Sequence, residues 1–402
     1  MEMSKSNIFV LDGVRGVAAI AVVLSHAFLM FSPWMHSGAA LKSEIEAAIF
    51  NSPFKFFYNG SSAVAIFFVL SGIVLSMSCL KRNVAYEYVR DAALKRYIRL
   101  GLPVFFSVMV CFLFAVSGAF KANADVARHV PLAAEFLFDP TLKGALWDGA
   151  FGAMLFGVTP YNYVLWTISV EFFGSLLVYA TLALFGRDKN LLRIASFTAF
   201  IFLTFHPNDF AVFYGLFMAG VFISTFEINY TSTLKTKFIS LALLALGLYL
   251  MGYTSASYSY QYVVSLFVHM SQHGIRVSWM LPLGTGAILV ITSIFVDCAV
   301  LKFLAKQPFK FFGKMSFSVY LLHPIFLALI GPYIWNYTGQ TSQGALIAFV
   351  SVTAVTLLAS TVFYKFVDKK SIDLSANFAS FIDRVISRKK GVKVDLVEDA
   401  SR

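Results

Sequence analysis

The apolar stretch LDGVRGVAAIAVVLSHAFLMF, residues 11–31, is interrupted by three ionisable side chains, Asp12, Arg15 and His26. On an α-helix the eleven positions from Arg15 to His26 return to within about 20° of the same face, and Asp12, three residues before Arg15, lies on that side too. Arg15 and His26 are then about 16 Å apart along the axis. An ionisable group at membrane depth costs about 2.5–3.5 kcal/mol on insertion scales and normally faces a bundle interior or a wet cavity. The stripe therefore implies a polar shaft. Its plainer alternative is an Arg15 paired with Asp12 and a His26 that packs with one hydrogen bond.

Two further apolar runs carry stripes of the same kind. In VLWTISVEFFGSLLVY, residues 164–179, Thr167, Glu171 and Ser175 recur every fourth position, with Glu171 close to mid-membrane. A carboxylate there needs a cation such as Arg15 or a protonated histidine, and an interhelical ion pair is the structural alternative. In GKMSFSVYLLHPIF, residues 313–326, Ser316, Tyr320 and His323 share a face, and Pro324 is a candidate kink. Each stripe needs a polar interior to be tolerated. The stretch KRNVAYEYVRDAALKRYIRLGLP adds Arg96 and Arg99, three apart at the mouth of a span. Guanidinium forks match phosphate oxygens, so this pair suits either a phosphate-rich ligand or anionic lipid head groups.

Composition dictates what must position these residues. Of 402 residues 58% are hydrophobic and only 13% charged, with 44 Phe; a soluble domain carries roughly 25% charged residues. Apolar runs of about 20 residues make this an all-α, polytopic transmembrane helix bundle. We expect about ten spans, near 9–31, 56–80, 100–120, 162–186, 192–207, 209–228, 236–254, 279–300, 316–335 and 344–367. The net charge of +11 sits in short clusters between apolar runs. That is the positive-inside pattern rather than a nucleic-acid surface, and it puts both termini in the cytoplasm. Residues 1–370 then form one transmembrane domain and 371–402 a polar cytoplasmic tail with a basic cluster at Arg388, Lys389 and Lys390. Segments 121–161 and 255–278 are expected as interfacial or re-entrant helices, and His206-Pro207-Asn208-Asp209 as a turn. Asp12 and Arg15 argue for a retained first helix rather than a cleaved leader. Cys79, Cys111 and Cys298 have no paired spacing, and His269 and His273 lack the acidic residue of a zinc motif, so no metal is expected.

The chain resembles the acyltransferase 3 family of integral membrane O-acyltransferases. The likeness is carried by LDGVRGVAAIAVVLSH (11–26), FFVLSG (67–72), KRYIRLGLPVF (95–105), LWTISVE (165–171) and YLLHP (320–324). The family's Arg and His separated by ten residues match Arg15 and His26, and its Arg-x-x-Arg element matches Arg96 and Arg99. Two positions depart: Ala65 stands where an acidic residue is frequent, and Thr167 where serine is commoner. Many bacterial relatives carry a C-terminal hydrolase-like domain; this chain is expected to lack one and to act alone or with a separate partner.

The resemblance implies an acyl-CoA donor, usually acetyl-CoA, on the cytoplasmic side. It implies a carbohydrate or glycoconjugate hydroxyl as acceptor at the outer face of a bacterial inner membrane. Arg96 and Arg99 would hold the nucleotide phosphates. Arg15, oriented by Asp12, would hold the pantetheine end or the thioester oxygen. His26 would be the general base or a transient acyl carrier, and Glu171 would fix its tautomer or receive its proton. Trp166, Ser169, Tyr320 and His323 would contact substrate. The rival from another class is a secondary transporter using the same residues for a proton and a polar solute, although no internal repeat supports it.

Overall fold

A computed structural model describes residues 5–39, 41, 43–206, 208–226, 232–297, 299–382 and 384. Cys298, Pro207 of the expected turn and the Arg388–Lys390 cluster lie outside the described residues. Among those described, every regular element is a helix. The long ones are α1 (Lys5–Phe31), α2 (Gly60–Leu80), α3 (Tyr86–Val116), α4 (Trp166–Phe185), α5 (Lys189–Thr204), α6 (Asp209–Ser224), α7 (Leu234–Met251), α8 (Met280–Val296), α9 (Gln307–Tyr337) and α10 (Ser342–Phe363). Each overlaps one expected apolar run. Seven helices, those holding α1, α2, α3, α4, α7, α9 and α10, are long and apolar enough to cross a membrane; α6 and α8 are apolar but shorter.

Several helix ends fall beyond the apolar windows. Helix α3 begins at Tyr86 and α9 at Gln307, so most of 81–99 and half of 301–314 is helix rather than loop. The stretch YEYVRDAALKRYIRL has no glycine or proline and is rich in Ala, Leu, Lys and Arg, all good helix formers. Hydropathy marks where lipid ends, not where the backbone stops winding. Helix α9 runs on through Pro324 and Pro332. Past α10 the winding continues through a π-turn, Tyr364–Asp368, to Ile382, so the expected 370/371 boundary falls inside one helical run. The segment 121–161 is built of short helices, and 255–278 holds a 3-10 turn, Tyr258–Tyr260, followed by one α-helix, Gln261–Gln272.

Small residues let the backbones touch. A Cβ on Gly16 would stand 2.7 Å from the amide nitrogen of Gly313, and one on Gly313 would strike the carbonyl of Asp12. Glycines at such crossings give close van der Waals packing where lipid supplies no hydrophobic drive between helices. Further along the same pair, Met30 and Phe31 lie beside Gly331. Helices α1 and α9 are therefore parallel neighbours. Ten residues beyond Gly16 and Gly313 stand His26 and His323, and equal rises of about 15 Å bring them to one level. Glycines also bring α2 and α6 together, since a Cβ on Gly220 would stand 2.8 Å from Ile73 N.

The exterior is apolar, with Leu113, Leu184, Phe202, Phe238, Leu346 and Leu358 all exposed, as lipid-facing side chains must be. Several hydroxyls within spans donate back to their own helix: Ser76 to Gly72 O at 2.7 Å, Thr181 to Leu177 O at 2.9 Å and Thr292 to Ile288 O at 2.7 Å. This satisfies them where water does not reach.

Candidate functional site

A cavity of about 350 Å³ opens among α1, α2, α3, α4 and α9. Its wall carries four cations, Arg15, Arg96, Arg99 and Lys314, against three carboxylates, Asp12, Glu171 and Asp368. Two of the cations are already engaged. Arg96 pairs through Nη2 with Glu171 Oε1, and its Nε donates to Ser175 Oγ at 2.7 Å. Ser71 Oγ donates to the same Glu171 oxygen at 2.8 Å. Arg99 Nη1 donates to Asp368 Oδ1 at 2.5 Å and to Ser371 Oγ at 2.8 Å. Arg15, by contrast, lies 3.8 Å from Asp12, too far for a hydrogen bond. Neither Arg15 nor Lys314 donates a hydrogen bond to any described residue, so these two are the cations free to grip an anion.

The far end of the cavity is closed by Val64, Phe67, Thr167 and Tyr320. Thr167 Oγ1 and Tyr320 Oη are 2.7 Å apart, and Tyr320 Oη also donates to Val164 O at 3.3 Å. One helical turn on from Tyr320, past this partition, is His323. Its ring is fully buried and lies nearly coplanar with that of His26, edge to edge, with centroids 5.1 Å apart and planes within 8°.

The hydrogen bonds order the protons of this histidine pair. His323 Nδ1 is 3.1 Å from the carbonyl of Val319, and a carbonyl only accepts. The carbonyl of Tyr320 meets the same ring. Pro324, lacking an N–H, leaves that carbonyl without its helical donor. Nδ1 of His323 therefore carries the hydrogen. In the neutral pair its Nε2 is then an acceptor, and His26 Nδ1, 2.8 Å away, must donate to it. Nε2 of His26 is left with an unshared lone pair, as a general base or nucleophile requires.

The acyltransferase 3 family model, described as an acyltransferase domain, matches residues 8–365. The chain belongs to this family. It is an acyltransferase enzyme and a multi-pass membrane protein. It is 25% identical to the O-acetyltransferase PaAT-1 of Phomopsis amygdali, over 91% of this chain and 83% of that protein. It is 24% identical to the acyltransferase clz18 of Cochliobolus lunatus, over 78% of this chain and 80% of that one. No solved structure matches it.

Within this acyltransferase the expected site residues separate into three groups. Asp12, Arg15, Arg96, Arg99, Glu171 and Tyr320 line the cavity. His26 and His323 meet one another beyond it. Trp166 and Ser169 do not line it: the Trp166 ring packs on Phe210 and Phe213, and Ser169 is buried beside Gly157. Glu171, expected to orient His26, is turned to Arg96 and Ser71 instead, and His323 takes the orienting place. The reason is axial, since Glu171 shares a face with Thr167 but lies one turn along α4, on the cavity side of the Thr167–Tyr320 partition. Lys314, Ser71 and Asp368 were not singled out by the sequence. Asp368 did leave a trace, as a lone acid where the apolar run FYKFV gives way to lysines. His269 and His273 lie apart from this site, with His273 Nδ1 2.8 Å from His269 O.

Towards the opposite end of α1, outside the spans, two basic side chains are tied in. His36 Nε2 donates to Ser25 O at 3.0 Å, and Lys55 Nζ donates to His36 O at 3.0 Å. Burial pushes the His36 imidazole down to about 4, with the Lys55 ammonium adding to the effect. Burial pushes Lys55 down to about 8. Unfolded His36 takes a proton near 6.5 and folded His36 only near 4. Between these values the unfolded state binds more protons, so stability falls as pH falls, by up to about 3 kcal/mol. We expect the unfolding midpoint of the detergent-solubilised protein to drop between pH 6.5 and 4. In His36→Asn that part of the drop should vanish; an unchanged acid profile would contradict the assignment.

Proposed function

We propose that this enzyme transfers an acetyl group from cytoplasmic acetyl-CoA to a hydroxyl of a carbohydrate or other glycoconjugate that approaches from the other side of the membrane. The observation that carries the reading is the His26–His323 contact at 2.8 Å, which leaves His26 Nε2 basic just beyond a cation-lined cavity. Lys314 and Arg15, unengaged by carboxylates at hydrogen-bond distance, suit the donor's phosphates. Arg99 supplements them at the mouth, and Arg96 holds the wall through Glu171. The basic stretches beside the cavity mouth support placing that end in the cytoplasm, with both termini there and ten crossings. The word O-acetyltransferase in a relative's name supports acetyl as the group moved. Both relatives are fungal, and the scheme needs only a membrane with acetyl-CoA on one face, bacterial or otherwise.

In this scheme His26 Nε2 removes the proton of the acceptor hydroxyl as its oxygen attacks the thioester carbonyl. Collapse of the tetrahedral adduct breaks the C–S bond, and the imidazolium returns the proton to the departing thiolate. The Tyr320–Thr167 pair stands between the cavity and the imidazole, so Tyr320 must turn aside for the thioester to arrive.

Proteoliposomes given acetyl-labelled acetyl-CoA on the cavity side provide the test. The expected result is release of CoA that grows when hydroxylated glycans are supplied on the opposite side, with label recovered in alkali-labile ester. Solute flux without any release of CoA would replace this reading with the transporter.

A further inference from the structure

We propose that Tyr163 is a catalytic residue of the acyl transfer, its phenol donating a hydrogen bond to the thioester oxygen as that oxygen becomes an oxyanion. The inference rests on the reading of His26 as the base and adds the electrophilic half of the site.

Tyr163 sits in the short 3-10 turn Tyr163–Leu165 that leads into α4, held there by Asn162, whose Oδ1 accepts from Val164 N at 3.3 Å. Asn162 Nδ2 donates to Leu321 O at 2.8 Å, anchoring this turn to α9 between Tyr320 and His323. The Tyr163 ring stands edge-on to the His26 imidazole, with centroids 5.3 Å apart and planes at 83°. Phe136 packs behind it at 5.9 Å. The ring is thus clamped at the base, with its orientation fixed on both sides.

Its hydroxyl is shielded from solvent and has no hydrogen-bond partner among the described residues. A buried phenol left unmatched costs about 1–3 kcal/mol, so the arrangement calls for an acceptor that arrives with substrate. The neighbouring donors cannot serve as readily. Tyr320 and Thr167 bond to each other and to Val164 O, Ser71 bonds to Glu171, and Arg96 is held by Glu171 and Ser175. Among the described residues no cation is in hydrogen-bond contact with the histidine pair. A neutral donor in a site shielded from water is the usual means of holding developing charge on an acyl oxygen. When the C–O bond forms and the carbonyl π pair moves to oxygen, the Tyr163 O–H stabilises that charge. When the C–S bond breaks the pair returns, and the phenol keeps its proton throughout.

Tyr163→Phe keeps the ring and the edge contact and removes only the donor. We expect kcat for acetyl transfer to fall about 10²-fold, with KM for acetyl-CoA unchanged and the unfolding midpoint equal or higher. Turnover within about threefold of wild type would overturn the proposal, while a variant that loses KM and unfolding midpoint together would mark a structural role and overturn it equally. Installing 3,5-difluorotyrosine at position 163 supplies a shape-preserving second measurement, since a more acidic phenol must change kcat and its alkaline pH limb if it donates in the transition state. An unaltered kcat and profile would count against it. His26→Ala separates the two claims: if that variant also turns over normally, the base assignment fails, whereas loss there with normal Tyr163→Phe removes only the phenol.

Discussion

Replacing His26 by glutamine is expected to reduce CoA release by about 10²- to 10⁴-fold while the protein still folds and still binds acetyl-CoA. The glutamine amide can donate to His323 Nε2 as His26 Nδ1 does now, at 2.8 Å, so the packing between α1 and α9 has a substitute. What glutamine lacks is a lone pair that can take a proton near neutrality. General-base assistance is worth about 10²- to 10⁴-fold, and among the described residues no carboxylate in hydrogen-bond contact with either ring replaces it. The donor cavity is lined by Arg15 and Lys314 but not by His26, so affinity for acetyl-CoA should be preserved. Release of CoA in proteoliposomes and equilibrium binding of acetyl-CoA in detergent measure the two quantities separately. Near-normal release would show that the lone pair of His26 is not the base. A parallel loss of binding would show that the cavity and the histidine pair are one structural unit rather than two functional ones.

Much of the architecture was already legible in the sequence, because lipid imposes a length and polarity rule on every crossing segment. All ten apolar runs are helices, and the stripes of Arg15, Glu171 and Tyr320 do converge on one cavity. Helix ends were less legible. Hydropathy reports lipid, whereas the 86–99 stretch winds because its residues favour helix wherever they sit. Partner choice was the least legible. A stripe says which way a side chain faces on its own helix, not which helix stands opposite, so Glu171 could not be separated from His26 as a partner by periodicity. One trace of the answer was present in the chain. GVAAIAVVLSH and GKMSFSVYLLH each place a histidine ten residues after a glycine. Two parallel helices that touch at those glycines must bring the histidines level, and α1 and α9 do so. The orphaned hydroxyl of Tyr163 left no such trace, since nothing in the order of residues marks this tyrosine out and only its packing beside His26 does.

Breaking the Arg96–Glu171 pair from one side should destabilise the protein by about 3–5 kcal/mol, as expected for a buried charge left without its partner. Both side chains are largely buried, at 16% and 14% exposure, and they join α3 to α4 across the cavity wall. Glu171→Leu leaves a guanidinium whose remaining bond is the one to Ser175 Oγ at 2.7 Å. Arg96→Met leaves a carboxylate with Ser71 alone as donor. The double variant Arg96→Met/Glu171→Leu removes both charges together, and well-packed apolar replacements of a buried pair are often neutral or better. Its unfolding midpoint should therefore recover most of what either single change loses, so the coupling energy in a double-mutant cycle should be at least as large as one single loss, about 3–5 kcal/mol or more. Simple additivity of the two losses would mean that the pair is not a unit. Activity supplies the second reading. If Arg96 serves the wall and Arg15 with Lys314 serves the donor's anionic groups, the recovered double variant should keep its KM for acetyl-CoA within a few-fold of wild type, whereas Lys314→Met should raise it without moving the midpoint.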